Sequence, residues 1–260
     1  MSRTASPSTA CGRRLKHWRQ HRGLSQLELG LRAHVSQRHV SFIETGRARP
    51  RQDLVLRLAD ALEIPLRERN VILEFAGLAP HYPEVPLSSA AIAPFREAVR
   101  RMISAHEPYP AYVINRWWEV VDANSAGRQL FPEIGSDAVN VVDAVFAPGG
   151  VRKLIDNFPA AGWSFLVRLR REVEESGDDQ RLAELLERAE GYMQDVPRPD
   201  AQTSHDFVVC PNLRIGDRII RTISMVARFG TAREVTLDEL RVEMIYPADD
   251  VAEAFFRGTL

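Results

Sequence analysis

The chain is poor in cysteine. Only Cys11 and Cys210 occur among its 260 residues, far apart and in segments of different character. Two such cysteines make neither a disulfide framework nor a zinc site, and the pattern fits a reducing cytoplasm. Lysine is equally rare, at Lys16 and Lys153 alone, which constrains any self-cleaving serine–lysine pair. No apolar run approaches the roughly 18–20 residues needed to span a bilayer, so no membrane partner is expected. The start, Met1 to Pro7, has no apolar stretch behind its charge and does not read as a secretory signal. A P-loop, a Gly-x-Ser-x-Gly elbow and a His-Glu-x-x-His pair are all missing. Cys210 and His205 stand five apart on an expected strand, and an odd separation turns them to opposite faces. These absences argue against an enzyme. Neither an internal repeat nor a low-complexity segment is found.

What is present is an ordinary globular composition, 45% hydrophobic and 27% charged, which suggests neither disorder nor a disulfide scaffold. The net charge of −1 is unevenly spread. Residues 1–80 hold 14 Lys and Arg against 7 Asp and Glu, and residues 81–260 hold 20 against 28. A basic first third suits a domain that meets a polyanion, although uneven charge can also arise by chance.

Residues 1–11 read as a disordered lead-in. Residues 12–79 read as five short helices with polar turns. Leu15 and Trp18 share the inner face of the first helix, and Gly23 stops it. Ser25 and Glu28 have the spacing of a capping box, with Leu27 and Leu31 on the inner face of the second helix. Ser36 caps a third helix in which Val40 and Ile43 point inward and Gly46 ends the turn. Leu54, Leu58 and Leu62 mark a fourth helix, and Pro65 opens a fifth. The prolines and serines of residues 80–94 read as a linker.

Residues 95–260 read as an α+β domain with an antiparallel sheet. A hairpin is expected from Ala111–Ile114 and Trp117–Val121 around Asn115-Arg116. Helices follow through about residue 195, with a turn at Gly177-Asp178-Asp179. Strands are expected at Phe207–Cys210, Arg218–Phe229 and Leu240–Tyr246, with a turn region from Asn212 to Asp217. A last helix is expected at Asp250–Arg257.

The stretch Leu24-Ser25-Gln26-Leu27-Glu28-Leu29, then Val35-Ser36-Gln37-Arg38-His39-Val40-Ser41-Phe42-Ile43-Glu44-Thr45-Gly46-Arg47-Ala48-Arg49-Pro50, resembles the phage-repressor (Xre-type) helix-turn-helix family. Independently of that resemblance, burial of Val40 and Ile43 turns Gln37, Arg38 and Ser41 outward on a helix that fits the major groove. Phe42 lies at the margin of this face, where it can meet a thymine methyl. Arginine suits guanine and glutamine suits adenine. The N-terminus at Ser36 favours a phosphate. The resemblance further implies phosphate contacts from Gln26, Arg47 and Arg49, and a structural pair between Arg19 and Glu44. The partner is then double-stranded DNA, with palindromic operators if the protein is a homodimer. Gly30 stands where the family usually has Ala, and His34 where it usually has Gly. A helical bundle with another role is the plain alternative. His17 and His21 are four apart but lack further ligands nearby, so a solvated face is preferred to a metal site.

The second part resembles the MmyB-like group of Xre regulators. The resemblance is carried by Val55–Leu62, Pro65–Asn70, Ala76–Pro80, His106–Ala111, Trp118–Asn124, Leu166–Glu172 and Thr236–Glu243. It implies a PAS-like domain that takes a small ligand such as a fatty-acid-like molecule, with no other cofactor. Two stretches depart from the group: Ala147-Pro148-Gly149-Gly150, and Asn157 followed by Phe158. From the residues alone, five of the six odd positions from Ile219 to Phe229 are apolar, so that face should meet helices. Arg221 among them is either a carboxylate anchor in an apolar pocket or the partner of a protein acid. Trp118, Phe146, Trp163, Phe207 and Met225 either line a cavity or form plain core. The second domain accordingly senses a ligand or only dimerises.

Overall fold

The computed structural model describes residues 7–132, 139–177, 179–199 and 209–259. It divides into two compact units, one running through Glu84 and including Arg233–Val235, the other formed by Val85–Ala232 and the chain from Thr236.

The first unit has five helices: α1 (Pro7–His21), α2 (Gln26–Arg32), α3 (Gln37–Glu44), α4 (Gln52–Ala61) and α5 (Leu66–Phe75). Helix α1 begins at Pro7, so residues 7–11 are not a disordered lead-in. Cys11 is fully buried and behaves as a small apolar residue, extending the inner stripe of Leu15 and Trp18 by one turn. Burial pushes its thiol up to about 11, which keeps it protonated and inert. Next to it, a Cβ on Gly12 would stand 2.2 Å from the Ile43 carbonyl oxygen, so α1 and α3 approach at backbone distance. Helix α2 differs in phase from expectation. Leu27 and Leu31 are 53% and 68% exposed, and Leu29 and Ala33 are buried instead. The cap at Ser25 sets this phase, and it turns the small residues Gly30 and Ala33 inward, where α2 must lie close to α3.

The expected linker is not a free tether. Asn70 Nδ2 donates to the Tyr82 carbonyl (2.7 Å), and its Oδ1 accepts from the His81 and Tyr82 N–H groups (3.0 Å each). Arg67 pairs with Glu84 through both terminal nitrogens, at 2.9 and 2.6 Å. Residues 80–84 therefore belong to the first unit. Residues 85–94 belong to the second, where Arg96 donates to the Ser89 carbonyl at 2.9 Å.

The second unit contains α6 (Ala93–Ala105), β1 (Ala111–Ile114), β2 (Val120–Ala123), α7 (Ser125–Leu130), α8 (Val141–Phe146), α9 (Phe158–Glu175), α10 (Gln180–Met193), β3 (Leu213–Ile215), β4 (Arg218–Ile220), β5 (Thr222–Arg228), β6 (Arg241–Pro247) and α12 (Asp250–Phe256), with α11 (Val235–Glu239), all but its first residue, before β6. The main sheet is antiparallel, in the order β2-β1-β6-β5. Strand β1 is buried on both faces. Ala111 and Val113 pack with Val242 and Met244 against Val99 and Ile103 of α6. Tyr112 and Ile114 join the larger core with Val142, Leu166, Leu185 and Met193.

The β1–β2 connection is longer than expected. Asn115 Oδ1 accepts from the N–H groups of Trp117 and Glu119, both at 3.0 Å, so the second strand starts only at Val120. Of the expected strand Phe207–Cys210, Phe207 and Val208 lie outside the described residues, as does His205, and Cys210 is not in a strand. The expected turn 212–217 contains β3, which pairs with β4 in a separate two-stranded sheet. The long strand 218–229 is broken at Arg221. Its odd face does not meet helices throughout: Ile219, Ile223 and Met225 are exposed, while Ile220 and Thr222 are buried. Helix α6 covers β1, β6 and the Ala227–Phe229 end of β5, and leaves the rest of that face open.

Candidate nucleic-acid interface and ligand pocket

In α2, the Ser25 hydroxyl accepts from the Glu28 N–H at 3.2 Å, and the Glu28 carboxylate accepts from the Ser25 N–H at 2.7 Å. The turn to α3 passes through His34 at φ 54°, a left-handed conformation that favours glycine. It closes with the Val35 N–H donating to the Gly30 carbonyl at 2.8 Å. A Cβ on residue 30 would sit 2.5 Å from the Val35 carbonyl oxygen. The two departures from the family pattern thus meet in one turn, His34 within it and Gly30 where it closes.

Ser36 caps α3 and accepts from the His39 N–H at 3.2 Å. Val40 and Ile43 are buried beneath it. Gln37 and Arg38 are exposed, and Ser41 and Phe42 are half-buried beside them. The Arg38 guanidinium carbon lies 5.2 Å from the centre of the Phe42 ring. From behind, Arg19 holds Glu44 with two hydrogen bonds, at 2.6 and 3.0 Å, and also donates to the Leu24 carbonyl at 2.7 Å. This paired arginine is raised above its ordinary pKa by the hydrogen bond to Glu44. Gln26 Nε2 donates to the same carboxylate at 2.8 Å. Arg49 is tied to the end of α5, donating to the Ala76 carbonyl at 3.1 Å, whereas Arg47 is exposed. His17 and His21 are exposed, with their rings stacked at 6.4 Å.

The second unit holds a pocket of about 80 Å³ on the face of the sheet opposite α6. Tyr112, Ile114, Trp118, Phe165, Glu243 and Ile245 are among its walls. Trp118 is buried, with φ at 63°, a strained conformation for so large a side chain. Its indole N–H donates to Glu172 at 2.7 Å. The guanidinium carbons of Arg241 and Arg168 lie 4.4 and 4.9 Å from its ring centre. Glu172 also accepts from Arg241 at 2.6 Å and from Arg168 at 3.2 Å, and Arg168 donates to Glu243 at 2.5 Å. Burial pushes the Glu172 carboxyl up, but Arg241, Arg168 and the Trp118 N–H together leave it below the ordinary carboxylate value. Arg241 is only 3% exposed, and its Nε and Nη2 have no hydrogen-bond partner among the described residues.

Of the residues proposed from the sequence for a pocket, Trp118 lines it. Phe146 is buried behind Phe165, with ring centres 6.3 Å apart. Trp163 donates instead to the Val196 and Pro197 carbonyls, at 3.2 and 3.1 Å. Arg221 is exposed and faces Asp249 at 3.4 Å, so it anchors nothing in the pocket. Met225 is 53% exposed and is neither core nor lining. Phe207 lies outside the described residues. The Arg168–Glu172–Arg241–Glu243 cluster was not anticipated. Its signal was present, since Arg168 and Glu172 are one helical turn apart and Arg241 and Glu243 alternate on a strand.

Comparison with known proteins follows this division. The model for the MmyB-like transcription regulator ligand binding domain matches residues 95–258, and a helix-turn-helix model matches residues 15–69. The chain belongs to the MmyB-like transcription regulators. This MmyB-like protein is therefore a DNA-binding transcription regulator that carries a ligand-binding domain. A solved structure, that of the restriction-modification controller protein C.AhdI from Aeromonas hydrophila, is 31% identical over 25% of this chain and 98% of that one, with a TM-score of 0.24. No curated protein matches the chain. Among the described residues, no helix of the MmyB-like regulator is long and apolar enough to cross a membrane, and no group of three or more acidic, histidine or cysteine side chains could hold a metal.

Proposed function

We propose that α3 enters the major groove of double-stranded DNA, where Gln37, Arg38, Ser41 and Phe42 meet base edges. The N-terminus at Ser36 and the exposed Arg47 hold phosphates; Gln26 and Arg49, already engaged within the protein, take a smaller share. Two copies bound as a homodimer read half-sites about one helical turn apart. The observation that carries this reading is the exposure of Gln37 and Arg38 opposite the buried Val40 and Ile43, in a segment with a surplus of basic residues. Arg38→Ala should cost about 1–3 kcal/mol of operator binding and relax the base preference at its position. An unchanged preference in a binding-site selection would overturn the groove assignment. Arg47→Ala should weaken all sequences alike and reduce the salt slope by about 1.

The proposed effector is a small apolar molecule, fatty-acid-like in character, seated beside Trp118 and shifting the population of DNA-competent dimers. Pockets for drug-sized ligands typically measure roughly 300–1,000 Å³. The 80 Å³ here must therefore widen to take an acyl chain. That small volume also favours a second reading, in which the domain only dimerises. Native mass spectrometry of the purified protein, before and after denaturation, separates the two. A dimer that releases a small molecule supports the sensor. An empty dimer whose DNA affinity ignores added fatty acids supports the dimerisation module.

A further inference from the structure

Arg38 and Phe42 stand one helical turn apart on the exposed side of α3, with the guanidinium carbon 5.2 Å from the ring centre. We infer that they act as one reading unit, selecting half-sites in which a G·C pair directly adjoins a T·A pair: Arg38 takes the guanine and Phe42 the thymine methyl. This rests on the groove assignment above.

The N–H fork of arginine is what meets guanine O6 and N7. The Phe42 ring centre lies 5.2 Å from the guanidinium carbon and successive base pairs rise about 3.4 Å, so with the fork on a guanine the ring reaches the neighbouring pair and not the one beyond. The thymine methyl is the apolar group a base pair shows in the major groove. Any other edge there would lose water to the ring without gaining a partner. Gln37 and Ser41 share the face but offer polar groups, which leaves the methyl to Phe42. The ring also restricts the arginine before DNA arrives, so less rotamer freedom is lost on binding.

The test starts from sites selected by the full chain from random duplexes. Each guanine is then replaced by 7-deazaguanine and each thymine by uracil, which removes only the methyl. Circular dichroism checks that the variants stay folded. One guanine should be sensitive in the wild type and silent in Arg38→Ala. At the adjacent pair, uracil should weaken binding about three- to fivefold, the worth of one buried methyl, and Phe42→Ala should erase that sensitivity. The idea is overturned if the methyl-sensitive pair is not next to the Arg38 guanine, if no selected thymine adjoins it, or if Phe42→Ala leaves the sensitivity intact. In those cases the contact is only a helix-stabilising pair four residues apart. If instead Arg38→Ala leaves every guanine preference unchanged, it is the groove assignment that has failed.

Discussion

The first unit closes its buried charge. Arg19 spends its donors on Glu44 and the Leu24 carbonyl, and Gln26 adds a further donor to the same carboxylate. The second unit leaves its charge open. Glu172 collects Arg241, Arg168 and Trp118, yet Arg241 keeps two buried nitrogens without partners among the described residues, and the cluster borders a pocket through Glu243 and the strained Trp118. A satisfied network rigidifies what it touches, and an incompletely satisfied one is a local cost. Helix α3 is thus fastened from behind while Gln37 and Arg38 on its outer face stay exposed. The pocket wall carries a local backbone cost at Trp118, of the kind that clusters at functional sites.

The comparison breaks most sharply at Glu44. Glu44→Ala leaves Arg19 buried and unpaired, and removing one partner of such a pair costs about 3–5 kcal/mol. Hydrogen exchange should rise across residues 15–69, and specific DNA binding should be lost, while exchange in 95–258 stays as it was. Protection unchanged in α3 would show that the pair does not fasten it. Glu172→Gln keeps a hydrogen-bond acceptor but removes a negative charge facing Arg168, Arg241 and, at 3.7 Å, Arg228, so its cost should be smaller, about 2 kcal/mol, and confined to 95–258. Because the folded Glu172 carboxyl lies below its ordinary value, its contribution is present above the ordinary carboxylate range and is lost as pH falls through the folded value. Acid titration of exchange near α9 and β6 should show that loss in the wild type and not in Glu172→Gln.

The first unit was far more legible from sequence than the second. Caps at Ser25 and Ser36, stops at Gly23 and Gly46, and the inward Val40 and Ile43 are local signals that the fold keeps. The error at Leu27 and Leu31 arose because spacing alone does not tell which of two faces a short helix buries. The close approach to α3 decided it, in favour of Gly30 and Ala33. In the second unit the strand face of Ile223 and Met225 was misread because alternation fixes two faces but not what covers each. Helix α6 reaches β1 and β6 and leaves much of β5 bare. Arg221 looked like an anchor only on the assumption that this face was covered. The buried arginine of this unit, Arg241, alternates with Glu243 on its strand, but spacing within each element cannot join it to Glu172, 69 residues away.

The smallest expected effect, that of His34→Gly, lies in the turn between α2 and α3, where two residues should prove coupled. Left-handed backbone costs an ordinary residue about 1–2 kcal/mol, and glycine escapes this but gives up about 0.5–1 kcal/mol more conformational entropy on folding. His34→Gly should therefore stabilise the first unit by about 0.5–1 kcal/mol, read as a higher urea midpoint with an unchanged slope. Gly30→Ala alone should destabilise it by about 1–3 kcal/mol, because its methyl meets the Val35 carbonyl at 2.5 Å. Combining Gly30→Ala with His34→Gly should cost less than the two single effects sum to, since glycine at 34 is free to adopt other backbone angles and so to relieve the contact at residue 30. Strict additivity would show that the two departures are independent and that the turn is set elsewhere.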